Sequence, residues 1–395
     1  MPHIKVASFD TSIIDKHTSQ DDSIIRFRAK SISSNDEVIG IEYANKEFLL
    51  QIKPQGEKTL IKYDKVTRPM DVNLLKRAIK EVASELELSI IDSNIAISPT
   101  KKVLGAEFEK RIEDFEDIVE FPKPKVSIEV GFGSGRHILY QAQKNPDTLF
   151  IGLEIHTPSA QQLLKQIVLQ GLDNIWVVNY DARLFLEMMP SNLCEKIFVH
   201  FPVPWDKKPH RRVISPSFLD ESMRVLKQGG KLELRTDSPK YFWYSLETFF
   251  GVPKTHVEVR KNEALEVTSK YEARWLKMQK DIYDVYVTSL GISDTNEVVK
   301  ELNFEDIRYS RCLVDILPKQ SIIKDGYFVH FERVFRVDDT SILIKCAFGS
   351  FDRPEHKYIL ISPKESRYYA SMPVKSRINH QAHLKIMELL NVKCN

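Results

Sequence analysis

The feature that most constrains the fold is an alternation, from about residue 126 to 250, of short apolar runs with helix-patterned segments. The runs 126–130, 149–153, 175–179, 196–200 and 231–235 are each followed by amphipathic stretches, a rhythm that implies a parallel, doubly wound α/β sheet. In such sheets ligands bind beyond the carboxyl ends of the strands, so residues just after each run are the site candidates. The first run, Val126-Ser-Ile-Glu-Val130, leads into Gly-Phe-Gly-Ser-Gly-Arg136 and a helix expected over Arg136–Asn145. Gly131 and Gly133 suit a tight turn that lets backbone approach a ligand. Arg136 stands where a dinucleotide fingerprint has its third glycine, which weakens a nicotinamide or flavin reading.

The second run ends on Glu154, roughly 20 residues past the glycines, where a carboxylate can accept both hydroxyls of a ribose. The third ends at Tyr180-Asp181-Ala182, an acid placed either to accept from an adenine amino group or to cap the next helix. Glu129 lies inside an apolar strand, is costly to bury without donors, and is expected to face a ligand or the glycine-turn amides. The fourth run, Lys196-Ile-Phe-Val-His200, empties into Phe201-Pro-Val-Pro-Trp-Asp-Lys-Lys-Pro-His-Arg-Arg212, a stiff basic loop suited to a polyanion. Trp205 serves there as a stacking platform for a base or as a packing anchor for its own loop.

Together these residues resemble the bacterial tRNA (guanine-N(7)-)-methyltransferases, class I enzymes dependent on S-adenosylmethionine. The resemblance runs from about Ser127 to Glu272. It rests on IEVGFGSGR, the GLEIH of Gly152–His156 followed by Pro158, GLDNI at Gly171, the DA at Asp181, FPVPWDKKPHRR, the RTD ending at Asp237 and SKYEARW at Ser269. It implies that Glu129, Gly131, Gly133, Glu154 and Asp181 bind the cofactor. Lys207, Asp237, Ser269, Lys270, Tyr271 and Glu272 correspond to substrate-contacting positions, while Lys208, Arg211 and Arg212 add charge for tRNA phosphates. The implied reaction is methylation of N(7) of a guanosine in tRNA, guanosine 46 of the variable loop. Asp237 is expected to accept from the guanine ring N–H and amino group, its other reading being a helix cap before Pro239.

One position departs from the family. FPDPW is usual, and Val203 occupies the place of an aspartate proposed as catalytic, so no catalytic residue is assigned. Guanine N(7) has an in-plane lone pair and no hydrogen, so the chemistry needs no base there. Orientation alone supplies roughly 7 to 11 kcal/mol when reacting atoms are held near 3 Å. Two other readings are weighed. A methyltransferase of proteins or small molecules has no use for the basic loop, and a catalytically silent RNA-binding relative has no use for three strand-end acids.

The chain has 395 residues and a net charge of only +2, so nucleic-acid affinity has to come from local patches. Four scattered cysteines without CxxC suggest a reducing cytoplasm and no structural metal, and no run is long enough to span a membrane. The partner is therefore tRNA, with neither DNA nor membrane; the oligomeric state stays open.

Three regions are expected: an α+β extension over 1–105, the methyltransferase domain over 106–290, and a second α+β extension over 291–395. The central domain should continue with a helix from Ser215-Pro216 to about Lys227, ended by Gly229-Gly230. Strand Lys231–Arg235, an aromatic helix Lys240–Phe250 and strands at Val257–Val259 and Tyr283–Val287 follow. The resemblance adds one antiparallel edge strand. Both extensions show hairpin strands followed by an amphipathic helix, without a convincing sequence repeat.

Overall fold

A computed structural model describes the chain except for residues 1, 19, 70, 98–103, 117, 119, 265–279, 296–300, 306, 352 and 392–395. In chain order the first segment holds β1 (His3–Ala7), β2 (Ile25–Ser31), β3 (Glu37–Tyr43), β4 (Lys46–Gln55), β5 (Lys58–Tyr63), α1 (Val72–Glu85) and β6 (Ile90–Ser93). The middle holds β7 (Glu109–Lys110), β8 (Lys125–Val130), α2 (Arg136–Lys144), β9 (Thr148–Leu153), α3 (Thr157–Gln170), β10 (Ile175–Val178), α4 (Ala182–Met188), β11 (Cys194–His200), α5 (Pro216–Val225), β12 (Leu226–Thr236), α6 (Pro239–Phe250), β13 (Thr255–Lys261) and β14 (Tyr283–Ser289). The last holds β15 (Ile322–Ile323), β16 (Phe328–Asp338), β17 (Ser341–Gly349), β18 (Glu355–Ile361), β19 (Ser366–Tyr369) and α7 (Arg377–Leu390). Met1–Lys101 together with Lys300–Asn395 form one compact unit, and Lys102–Val299 form another.

In the central unit the strand order is β13-β14-β12-β11-β8-β9-β10-β7. All neighbours from β12 to β7 are parallel, and β14 runs antiparallel to both β12 and β13. The antiparallel strand is thus one place in from the edge that the resemblance implied. The order reverses between β8 and β11, which is the switch point where such sheets take ligands. One face is covered by α4, α5 and α6 through Phe185, Phe218, Leu219 and Phe249, and the other by α2 and α3 through Ile138, Leu163 and Ile167. Ser215 caps α5 by accepting from Phe218 N–H at 3.3 Å, as its hydroxyl and the following proline suggest. Gly229 and Gly230 lie within β12 and do not end a helix: α5 stops at Val225 and the strand begins at Leu226. In α6, Tyr241 and Phe242 are buried while Trp243 is largely exposed, so the aromatic cluster divides between core and surface.

The two terminal extensions, expected as separate, build a single sheet ordered β19-β18-β17-β16-β2-β3-β4-β5-β1-β6, with β15 beside β16. Each segment contributes a four-stranded antiparallel meander followed by a helix, and the two meanders join through β2 and β16 at Ser31↔Phe335 and Lys30↔Arg336. Ala44 and Asn45, at φ 50° and 58°, make the tight turn between β3 and β4. Side chains also tie the segments together: Arg367 grips Glu47 through two bonds of 2.7 and 2.6 Å, and Tyr358 donates to Asp64 at 3.1 Å. Ala29, Val38 and Leu49 share a core with Phe335, Leu343, Tyr358 and Tyr369. Pairing between segments some 300 residues apart leaves no local periodicity. Cys194 and Cys346 are free and buried.

Candidate cofactor and nucleic-acid site

The glycine turn after β8 is built as its sequence suggests. Gly131 and Gly133 have φ of 70° and 54°, and a side chain at Gly131 would meet nothing within 4 Å, so the turn presents bare backbone to open space. Glu154 at the end of β9 closes over it, accepting from Gly133 N–H at 3.1 Å through Oε2 and from His156 N–H at 3.0 Å through Oε1. A carboxylate has about four acceptor sites, so these two bonds leave capacity for a ligand.

A cavity of about 250 Å³ opens at this rim. It is bounded by Gly131, by Glu154 and Ile155, by Tyr180–Arg183, and by Phe201, Val203, Trp205 and Arg211 of the basic loop. Apolar walls beside a rim carboxylate and an open glycine turn suit a nucleoside-bearing cofactor. Among the described residues no group of three or more His, Cys, Asp or Glu is placed to hold a metal ion, and no helix is long and apolar enough to cross a membrane.

Asp181 also lines the cavity, but its carboxylate is engaged. It caps α4 by accepting from Arg183 N–H at 2.9 Å, and it pairs with the Arg183 guanidinium at 2.7 and 3.1 Å. The helix-cap alternative is therefore realised. Glu129 is not among the lining residues: at 3 % exposed it sits within β8 and bonds His137 Nδ1 of α2 at 2.8 Å. Its donor is an imidazole, neither the glycine-turn amides nor the cavity. The His137 ring lies 4.4 Å from that of His200, whose Nε2 is 3.0 Å from Glu233. Burial raises the Glu233 carboxyl, but the His200 hydrogen bond and the nearby His200, His137 and Lys196 outweigh it, and the group is held below the ordinary carboxylate range. No local motif marked His137, His200 or Glu233, because the pairing of β11 with β12 and the packing of α2 on the sheet unite them.

The basic loop leaves β11 in a strained conformation. Phe201 and Trp205 have φ of 50° and 46°, in the left-handed region that bulky side chains avoid. Val203 is 60 % exposed at the cavity mouth, and the Arg211 guanidinium lies 5.2 Å over the Trp205 ring. Lys207 and Lys208 are exposed, as phosphate ligands require. Arg212 is not: it is 8 % exposed, donates to Pro204 O at 2.8 Å and lies 4.4 Å over Tyr244. It anchors the loop from beneath, a role the run of basic residues concealed. Asp237 accepts from Lys280 at 3.0 Å, and Ser238, not Asp237, caps α6 by accepting from Tyr241 N–H at 3.2 Å. Just before it, Arg235 and Asp284 form a buried pair at 2.6 Å, and Arg235 also holds Glu263 O at 2.9 Å. Burial pushes the Asp284 carboxyl up to about 6. Ser269, Lys270, Tyr271 and Glu272 lie outside the described residues.

A parallel sheet of this order, with its antiparallel strand inserted beside β12 and a glycine-turn cavity at the switch point, defines a class I methyltransferase. A family model described as "Putative methyltransferase" matches residues 123–285. The chain is 38 % identical over 402 residues to the tRNA (guanine-N(7)-)-methyltransferase of Wolinella succinogenes, covering 99 % of this chain and 100 % of that one. The chain belongs to the tRNA (guanine-N(7)-)-methyltransferase family. The Helicobacter pylori relative of that name is 40 % identical, with 89 % of this chain and 87 % of its own covered, and that of Campylobacter jejuni strain 81-176 is 38 % identical, with 95 % of each covered. These relatives align over both terminal segments as well, beyond the Ser127–Glu272 span to which the motifs confined the resemblance.

Proposed function

We propose that this protein transfers a methyl group from S-adenosylmethionine to N(7) of a guanosine in tRNA, with guanosine 46 of the variable loop as its target. The observation that carries the reading is the cavity at the switch point, which joins the Glu154-closed glycine turn to a loop with exposed Lys207 and Lys208. Residues and cofactor fit: Glu154 has acceptor capacity for ribose hydroxyls, Gly131 leaves room for the ligand, and Ile155 and Tyr180 offer apolar walls. Asp181 would contribute through its placement of Arg183, and Glu129 through His137.

The cofactor supplies the methyl group. The chain's own task is to bind tRNA phosphates on Lys207, Lys208 and Arg211, to seat the extruded base against Trp205, and to hold N(7) toward the cavity. Asp237 would read guanine's N–H groups, displacing Lys280, with Ser269–Glu272 completing the base site. Because N(7) carries no proton, a valine at 203 is compatible with the reaction, and orientation is the main source of acceleration.

The test is incubation of unmodified tRNA with radiolabelled S-adenosylmethionine, followed by nucleoside analysis. Labelled 7-methylguanosine, absent from a tRNA with adenosine at position 46, supports the whole reading. Label on another guanosine overturns the position, and cofactor binding without any labelled nucleoside overturns the function.

A further inference from the structure

We infer that His200 is a positioning residue for methyl transfer, setting the path of the loop that carries Val203 over the cofactor cavity; this rests on the methyltransferase reading above. Arg212 anchors the middle of the loop through Pro204 O, and the path of Phe201–Val203 over the cavity is set in addition where the loop begins. There, His200 Nε2 lies 3.0 Å from Glu233 Oε1 on the neighbouring strand. A carboxylate only accepts, so Nε2 carries the proton. Phe201 N–H then donates to Arg235 O at 2.7 Å, and the chain turns into its left-handed conformation at φ 50°. Phe201, Pro202 and Val203, the next three residues, all line the cavity.

The His200 ring is also held from the other side. It packs 4.4 Å from His137 at an interplanar angle of 56°, and Phe198 packs 4.8 Å from His137. His137 is fixed by Glu129 at 2.8 Å through Nδ1 and by the Gln141 amide at 3.2 Å through Nε2. Glu129 lies two residues before Gly131, and His137 is the second residue of α2, so this brace starts from the glycine turn itself. Two Glu–His pairs whose rings meet at a tilt therefore connect the exit of β8 to the exit of β11, neighbouring strands whose following residues both line the cavity. The parallel pairing of Phe198 with Glu129 and of Val199 with Val130 sets their separation, and the packed rings and bonded carboxylates fix the side chains on that frame. A strained left-handed Phe201 persists only where its surroundings over-determine it, and His200 is its immediate neighbour.

The experiment compares His200→Phe, which keeps a ring to pack but loses the bond to Glu233, with His200→Gln, whose amide can restore that bond. A misplacement of about 1 Å costs on the order of 100-fold in rate. The expected result is a kcat lowered about 10- to 100-fold in His200→Phe, with KM for tRNA and S-adenosylmethionine changed by less than about threefold, and recovery to within about fivefold in His200→Gln. Two readouts do not need activity. The affinity for S-adenosylhomocysteine by calorimetry should be unchanged, and the Trp205 fluorescence contribution, obtained by difference from Trp205→Phe forms, should shift in His200→Phe and return in His200→Gln. If His200→Phe does not fold, Glu233→Leu against Glu233→Gln makes the same comparison from the other partner. An unchanged kcat in the variant lacking the bond overturns the inference, as does a loss of cofactor affinity that parallels a lowered Tm without rescue by Gln. Wild-type protein that forms no 7-methylguanosine overturns the functional reading itself, and this inference with it.

Discussion

Glu154 Oε2 accepts a hydrogen bond from Gly133 N–H at 3.1 Å, so the carboxylate at the end of β9 holds the glycine turn that follows β8. Replacing the charged acceptor by an amide weakens this closure and any bond to a ribose together. Glu154→Gln is expected to lower the affinity for S-adenosylhomocysteine about 10- to 150-fold, the range for hydrogen bonds to a charged group, while leaving tRNA affinity in place. Calorimetry for the cofactor and filter binding for tRNA separate the two; equal losses in both would refute the assignment.

The basic loop divides into phosphate ligands and an anchor. Lys207→Ala and Lys208→Ala should each lower the slope of log affinity for tRNA against log salt by about 0.7 to 0.9, with Tm unchanged. Arg212→Ala should instead cost about 2 to 4 kcal/mol of stability, from the stack on Tyr244 and the bond to Pro204 O. Thermal denaturation and salt titration of all three variants check the division.

Asp237 is bound to a lysine in the free protein and is excused from capping α6 by Ser238. If it reads the base as proposed, Asp237→Asn should lower kcat/KM for tRNA about 10- to 150-fold, since one of the acceptor's partners is then faced by an amide. Full activity in this variant would remove Asp237 from the base site.

In the terminal unit, hydrogen bonds from His356 and Lys345 hold the Glu332 carboxyl at about 2, although partial burial opposes them. A carboxyl lowered by folding contributes stability that is present above its unfolded value of 4.5 and is lost as pH falls from there toward 2. Urea midpoints measured between pH 6 and about 2.5 should fall less steeply at the acid end in Glu332→Gln than in the wild type. Identical acid limbs would show that this pair does not matter to stability.

Much of the central unit was legible in the sequence because its signals are local. Short apolar runs, Ser215-Pro216 and the glycine turn each act over a few residues, and the structure places strands, a cap and left-handed glycines there. Glu154 was legible for the same reason, since strand ends face the switch point. Glu129 illustrates the limit: its burial was foreseeable from its apolar neighbours, but its partner is a histidine on the following helix, found only once α2 is laid on the sheet. Arg212 shows another. Two adjacent arginines read alike, yet the short turn Pro209–Arg211 sends Arg211 over Trp205 and buries Arg212 against Tyr244. Gly229 and Gly230 misled in the usual direction, because glycines read as a stop where β12 in fact accommodates them.

The shared sheet of the two ends also orders events during synthesis. The central unit is one continuous stretch and can condense as soon as it clears the ribosome, whereas β2 waits for β16, a strand made roughly 300 residues later. Until then the amino-terminal meander carries an unpaired strand edge, and removal of the last hundred residues would leave that edge permanently open. A truncated chain is therefore expected to aggregate through its beginning, not its end.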